Sequence, residues 1–476
     1  MAIIGGGISG LSAAVALEDA RRQGAQLEYA LLESSDRLGG VLRTEKVEGC
    51  VVEAGPDSFL TEKSWASDYC RQLGLGDELI TSNDNLRKTY IVVRGKLVPI
   101  PDGLQFLVPT RLLPVVMSPL FSFRTKLRMA REYFTSPHAL RGTSDESVAE
   151  MIERHYGREV VERLADPLLA GVYGGNSSTL SANSVLPRFV ELERRFGSLS
   201  RGMLALRKQA KKPQGSLRPI FTSLRGGMQQ LSDAAASRLN PAWIQALNSV
   251  RALIREADGW RVISARSAME IYDAVILAAP APVAGVLLEG VDGGLGSELR
   301  QISYSSSMTV ALGYPLEALA RAPSGFGFLV PRAEKRHMLA CTFVHTKFSH
   351  RAPAGMALLR CFLGGAHNQS ALELADSELL AIVRQELSDL VSITAEPMFA
   401  RVFRWPGAMA QYSVGHSQRL ERISKLVAEH PGLELAGNAY RGIGIPDCIA
   451  SGQAAAASVL SRASAASGQT QRGDNP

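Results

Sequence analysis

Four glycines within the first ten residues, in "IIGGGISGLSAA", restrict this chain more than any other feature. Gly5, Gly7 and Gly10 form a G-x-G-x-x-G pattern directly after the apolar Ile3 and Ile4, and "LSAAVALEDARRQG" continues with helical periodicity. Strand, glycine turn and helix make a βα unit. In such a unit the first glycine permits the tight turn, the second lets a backbone meet a pyrophosphate, and the third lets helix pack on strand. The N-terminus of the helix that follows Gly5, Gly6 and Gly7, opening with Ile8, Ser9 and Gly10, offers free N–H groups and partial positive charge to phosphates. A second strand, "LEYALLE", ends at Glu33, where a carboxylate accepts hydrogen bonds from ribose hydroxyls. The unit predicts a Rossmann-type α/β fold that binds a dinucleotide.

The residues after Glu33 separate the two common dinucleotides. A nicotinamide domain continues into another βα unit, whereas here "SSDRLGGVLRT" and then "EAGPDSFL" stand, with Arg37, Gly39 and Gly40 beside the ribose position. Such a segment runs backbone along an extended FAD pyrophosphate. The far end of the chain, "GLELAGNAYRGIGIPDCIASGQAAAASVL", reads as a short strand, a glycine turn and a helix beginning near Asp447. Gly442 and Gly444 leave room for a planar ring, and the helix N-terminus stabilises negative charge on a reduced flavin. Both ends of the chain are expected to clasp one FAD.

At 476 residues the chain exceeds what one core organises. The FAD-binding domain is expected in three pieces, 1–85, 219–283 and 400–462, with an α+β substrate-binding domain from 86–99 and 284–399. A helical domain is expected over 100–218 and a disordered tail over 463–476. The net charge of +6 favours anionic ligands or an anionic membrane surface and is too weak to argue for nucleic acid. Five scattered cysteines, none in CxxC spacing, suggest neither disulfides nor a metal site and fit a reducing, cytoplasmic setting. Ala2 to Ile4 lacks the basic leader of a signal peptide, and "AVILAAPAPVAGVLL" is too short and proline-broken to span a bilayer. In "LLPVVMSPLFSFRTKLRMAREYF", Leu120, Phe121, Phe123, Leu127, Met129 and Phe134 interleave with Arg124, Lys126, Arg128 and Arg131. That segment reads either as a core-facing helix with a basic solvated side or as a helix lying peripherally on a membrane. The basic stretch 188–218, with its "KKPQGS" loop, adds to the membrane reading or marks a charged flap.

Taken together, "GGGISGLSAA", "ESSDRLGGVLRT", "EAGPDSFL", "DPLLAGVYGGNSSTLS", "LRGGMQQL", "GFGFLVPR", "RVFRWPGAMAQYSVGH" and "GNAYRGIGIPDCIASG" resemble the flavoprotein amine oxidase superfamily. Within it they resemble the protoporphyrinogen oxidase family, including the bacterial members that oxidise coproporphyrinogen III. The resemblance runs along nearly the whole chain. It implies FAD contacts at Gly5 to Gly10, Glu33, Ser34, Val41, Gly55, Pro56, Asp57, Ser58, Val250, Trp405, Ile443, Gly444 and Ile445. It implies a substrate pocket at Gly171, Leu329, Leu339 and Phe348, with Lys63 a candidate anchor for a propionate, alongside Lys88, Arg94 and Lys96. Ala410 stands where the family often carries proline.

The resemblance implies a porphyrinogen substrate, hydride transfer to flavin N5, reoxidation by O2 to H2O2, and a neighbouring enzyme of haem biosynthesis as a candidate partner. Orienting a bridge carbon of such an electron-rich substrate against the flavin suffices, so no side chain is singled out as a catalytic base. The histidines fall in no metal or triad pattern, and His416 reads as structural. Two alternatives remain: another FAD-dependent oxidase or desaturase of the superfamily, and a non-catalytic binding protein on the same scaffold.

Overall fold

Ala2–Ile4 is a strand of three wholly buried residues, and its burial on both faces sets the architecture. A strand apolar at every position belongs inside a parallel sheet covered on two sides. In the computed structural model, which describes residues 1–136, 145–209, 219–267, 270–366 and 368–470, it is the centre of such a sheet. Five parallel strands run in the order Ile244–Gln245, Ala30–Leu32, Ala2–Ile4, Val275–Leu277 and Leu433–Leu435. Ala2 lies opposite Ala30 on one side and Val275 on the other. The two-residue period then sorts the side chains: Ile3, Leu31 and Ile276 share a core with the first and last helices, while Ala2, Ile4, Leu32 and Leu277 face the other cluster.

Helix Ile8–Arg22 packs along the closing helix Ile445–Thr470. Their approach is close enough that a Cβ on Gly452 would stand 2.0 Å from the Ser9 carbonyl oxygen. The closing helix continues to Thr470, well into the stretch expected to be disordered from 463, because the alanine-rich sequence favours helix propagation. Residues 471–476 of that tail lie outside the described residues, as does the "KKPQGS" loop.

A second sheet of seven strands runs in the order Phe399–Ala410, Tyr304–Pro315, Met356–Gly364, Ala340–Phe343, Gly327–Leu329, Thr89–Val93 and Lys96–Pro99. All its pairs are antiparallel except Gly327–Leu329 with Thr89–Val93. Helix Asp376–Val391 covers one face with Leu379, Val383 and Leu387, a four-residue repeat that is fully buried. Strand Phe399–Ala410 pairs with Tyr304–Pro315 along most of its length, although it lies in the segment from 400 that the sequence reading gives to the FAD-binding domain. Strand Phe221–Leu224 joins neither large sheet and pairs instead with Phe59–Leu60 and Leu79–Thr81.

Helices from Leu112–Met117 to Leu199–Gln209 make the third layer. Ser147 and Glu150 close a reciprocal cap on helix Val148–Tyr156, and Gly157, Gly174 and Gly197 end helices with positive φ. Among the described residues no helix is long and apolar enough to cross a membrane.

Candidate functional site

The three glycines of the opening motif divide the work expected of them. Gly5 turns the chain at φ +107°, and Gly10 is packed so tightly that a Cβ there would lie 1.9 Å from the Gly5 carbonyl oxygen. Gly7 differs: a Cβ there would meet no atom within 4 Å. Gly7 is also the N-cap of helix Ile8–Arg22 and provides no side-chain cap, so the helix start keeps its donors for something else. Gly39 donates its N–H to the Gly6 carbonyl at 2.8 Å, and Gly40 comes against the Gly7 backbone. The open space at Gly7, bounded by two glycine turns and an uncapped helix, fits a dinucleotide pyrophosphate.

Arg37 sits beside this cradle but does not point into it. Its guanidinium donates to the carbonyls of Leu38 and Leu42, each at 3.1 Å, and of Gly40, and so braces the second glycine turn. Glu33 accepts the Gly6 N–H at 2.7 Å, the Ser35 N–H at 2.7 Å, and the Ser35 and Ser34 hydroxyls at 2.8 and 3.2 Å. Burial works against its ionisation, yet the N–H groups of Ser35 and Gly6 and the two hydroxyls outweigh it and hold the carboxyl below its ordinary value. The Asn248 N–H reaches the Glu33 carbonyl at 2.8 Å, which brings Val250, at the start of strand Val250–Arg255, into the same region.

Val41 and Gly55 are in contact: a Cβ on Gly55 would overlap the Val41 carbonyl oxygen at 1.9 Å. From Glu53 to Ser58 the chain is fixed by Trp405, which the sequence names, and by Thr309, Lys347, Arg351 and Arg360, which sequence reasoning missed. The Ala54 carbonyl accepts from the Trp405 indole at 2.8 Å and the Thr309 hydroxyl at 3.0 Å. Arg360 donates to the Ala54 and Gly55 carbonyls. Lys347 reaches both carboxylate oxygens of Asp57 at 3.1 Å and the Ser58 hydroxyl at 3.2 Å. Arg351, wholly buried, pairs with Glu53 at 2.9 Å and donates to the Ser223 hydroxyl, which in turn donates to the Asp57 carbonyl. Burial alone would raise the Asp57 carboxyl, but Lys347 and Arg360 reverse it and hold the group well below the usual carboxylate range. The signal that could have found these residues is a charge inside an apolar strand: "MALLRCFLG" buries Arg360 between fully apolar neighbours, which demands partners.

At the C-terminal turn, a Cβ on Gly442 would lie 2.3 Å from the Asp447 carboxyl carbon, and the Gly442 N–H donates to the Tyr412 hydroxyl at 2.8 Å. Ile443, Gly444 and Ile445 come next, with Ile445 buried against the first helix's core. Lys63 is not a free anchor. Its ammonium pairs with Asp447 at 2.6 Å, so it belongs to this turn.

The apolar pocket residues divide. Helix Asp166–Tyr173, which carries Gly171, packs against strand Gly327–Leu329, and Leu339 approaches the Gly174–Gly365 contact. A Cβ on Gly171 would meet nothing within 4 Å, so this end is open. Phe348 lies elsewhere, wholly buried between Lys347 and Arg351. Gln411 joins the open end by donating to the Tyr173 carbonyl at 2.7 Å and the Ser305 hydroxyl at 2.9 Å. His416 stacks on Tyr412 with centroids 4.2 Å apart; burial brings it down to about 4, so it is a neutral packing ring. Among the described residues no cluster of His, Cys, Asp or Glu could hold a metal ion.

A family model described as flavin containing amine oxidoreductase matches residues 8–460. A coproporphyrinogen III oxidase of Bacillus subtilis (strain 168) is 34% identical over 466 residues, covering 96% of this chain and 97% of its own. The protein of the same name from Staphylococcus aureus (strain NCTC 8325 / PS 47) is 30% identical, with 97% and 98% covered. A crystal structure from Exiguobacterium sp. 255-15, provisionally named a protoporphyrinogen oxidase, superposes with a TM-score of 0.85 at 32% identity, covering 96% of this chain and 98% of that one.

Proposed function

The chain belongs to the flavin containing amine oxidoreductase family, and from that premise we propose that it uses FAD to oxidise a porphyrinogen, either coproporphyrinogen III or protoporphyrinogen IX, to the porphyrin. The observation that carries the cofactor part is the open, uncapped cradle at Gly7. The names of the full-length relatives support the substrate class. Bound FAD supplies a two-electron acceptor that oxygen can restore.

The residues themselves bind and orient. The N–H groups at the start of helix Ile8–Arg22 would hold the pyrophosphate, and Glu33, kept ionised by its donors, would accept from the ribose. Val250 would back the adenine end. Glu53–Ser58, Trp405 and Ile443–Ile445 would hold the ring end. Gly171, Leu329 and Leu339 would admit a flat macrocycle where any side chain at Gly171 would intrude. With Lys63 paired to Asp447, it serves the ring end of the site in this reading, not a substrate propionate.

The test is anaerobic: offer the flavin-loaded protein coproporphyrinogen III and protoporphyrinogen IX separately and follow the oxidised-flavin absorption band. Rapid bleaching with one of them, then porphyrin fluorescence on admitting oxygen, is the expected result and selects the substrate. A flavin that stays oxidised with both sinks the porphyrinogen reading and turns attention to amines or carotenoids. A protein that takes up no FAD at all favours a non-catalytic binding role.

The helical layer supports peripheral contact with an anionic membrane. Leu113, Met117, Phe123 and Phe134 are each more than 70% exposed, and Arg111, Arg124 and Arg131 are exposed on the same two helices or their flanks. Apolar side chains at the headgroup boundary with basic neighbours are the pattern of an interfacial helix. Cosedimentation with anionic vesicles but not zwitterionic ones, lost in Phe123→Ser with Phe134→Ser, is the expected outcome. Equal recovery in the supernatant with both vesicles would remove the proposal.

A further inference from the structure

Among the described residues, Lys347, Arg351 and Arg360 meet only Glu53 and Asp57 in the buried cluster beneath Glu53–Ser58, so cations exceed carboxylates by one. The partners identify the surplus. Lys347 pairs with Asp57 and Arg351 with Glu53, whereas Arg360 has no ion pair within 4 Å among the described residues. Its bonds go to the Ala54 and Gly55 carbonyls, and its Nε is buried with no hydrogen-bond partner. It lines a small cavity together with Glu53, Asp57 and Val344.

An unmatched guanidinium in a low-dielectric interior is costly, and replacing buried charges by apolar groups is often neutral or stabilising. A residue kept only to hold the fold together would be expected to pair. The grip on Ala54 also comes from three strands of one sheet: Thr309 on Tyr304–Pro315, Arg360 on Met356–Gly364 and Trp405 on Phe399–Ala410. The seven-stranded sheet thus fixes the segment through its carbonyls and adds one positive charge while doing so. A ligand that gains negative charge against this segment would be stabilised by that charge, and more strongly than in water.

We propose that Arg360 is a positioning residue for the flavin, which holds Ala54 and Gly55 in the cofactor-receiving conformation and favours the reduced flavin through its uncompensated charge. The inference rests on the reading of Glu53–Ser58 as a flavin-contacting segment. It assigns Arg360 no contact with substrate.

The test compares wild type, Arg360→Met and Arg360→Lys. Arg360→Met leaves two cations facing two carboxylates, so the variant is expected to fold. The flavin midpoint potential is measured against redox dyes without any porphyrinogen, FAD affinity by titrating the stripped protein, and thermal unfolding on the flavin-free protein. Arg360→Met is expected to shift the reduced-to-oxidised ratio at least tenfold toward oxidised, about 30 mV for a two-electron couple, and to weaken FAD binding about tenfold. Arg360→Lys is expected to restore the potential but only part of the affinity, because an ammonium has no planar fork for two carbonyls. Potential and affinity both unchanged in a folded Arg360→Met would overturn the proposal while leaving the flavin reading intact. Wild-type protein that takes up no flavin would sink that reading and this proposal with it. If Arg360→Met does not fold, Thr309→Val tests the grip: it removes a donor to the same carbonyl without changing charge, and is expected to weaken FAD binding at unchanged potential. Unchanged affinity there counts against the proposal as well.

Discussion

Two buried ion clusters lie in this molecule, and they balance their charge in opposite ways. Under Glu53–Ser58 the surplus is positive, and the Arg351 Nε and Nη1 and the Arg360 Nε are buried without hydrogen-bond partners, as is His155 Nε2 in the other cluster. Among the helices the surplus is negative. Glu132, Glu193 and Glu146 meet His155 and Arg154. There the fold itself supplies the compensation, because Glu132 accepts the Leu199 N–H at 2.6 Å, the Ser200 N–H at 3.3 Å and the Ser198 hydroxyl at 3.0 Å. Those donors are the start of helix Leu199–Gln209, where a carboxylate is welcome. A surplus absorbed by a helix end locks helices together. A surplus cation held by the Ala54 and Gly55 carbonyls and the Phe362 ring keeps its charge beside the segment assigned to the flavin.

The strongest way to break this comparison is Arg351→Met. It strands Glu53, whose carboxyl burial already pushes up against the pull of Arg351, the Thr44 hydroxyl and the Met228 N–H. Removing one partner of a buried pair costs about 3–5 kcal/mol. Urea unfolding of the flavin-free protein at neutral pH should show a loss of that order. A loss below about 1 kcal/mol would mean that the pair behaves as an exposed one.

Glu132→Gln should cost less, about 2 kcal/mol, since the amide oxygen keeps some of the N–H bonds and only the charge-assisted part is lost. Its effect on FAD affinity separates the clusters. The affinity is expected to stay at the wild-type value, because helix Phe123–Glu132 carries none of the residues assigned to the flavin. FAD binding that weakens in step with stability would show that the helical cluster also serves the cofactor site.

How far the sequence could be read depends on the range of the forces involved. The glycine cradle was legible because a turn at positive φ, a helix start and an apolar strand are local demands, and Gly5, Ile8 and Ile3 answer them within a few residues. The membership of strand Phe399–Ala410 was not, because its partner Tyr304–Pro315 is distant in sequence and nothing local names it. The resemblance puts Phe348 in the pocket, whereas its ring lies buried with the Lys347 and Arg351 cations against it. Lys63 reads from the sequence as a candidate propionate anchor, whereas the closing helix brings Asp447 to it. Arg360 is the instructive omission: hydropathy marks its strand as core, and the lone charge in that strand carried more information than the apolar residues around it.

The smallest predicted effect, on the order of 1 kcal/mol, lies in the pH dependence of the helical cluster. Burial would lower His155, but its hydrogen bond to Glu132 and the Glu193 carboxylate 3.2 Å from its Nε2 outweigh that and raise it above the ordinary histidine value. A group raised on folding stabilises fully below its unfolded value and loses that contribution as pH rises through the folded one. Glu132 and Glu193 run the other way: burial opposes their ionisation, His155 and their other donors prevail, and the benefit is lost as pH falls. His416, brought down to about 4 by burial, also costs stability on the acid side, where only the unfolded chain takes up its proton. The urea midpoint of wild type should therefore decline on both sides of a maximum. In His155→Gln the alkaline decline should flatten, while the acid decline that His416 drives should persist. An unaltered alkaline limb in that variant would show that the imidazole is not charged between its two carboxylates, and the contrast between the clusters would then rest on arginine and lysine alone.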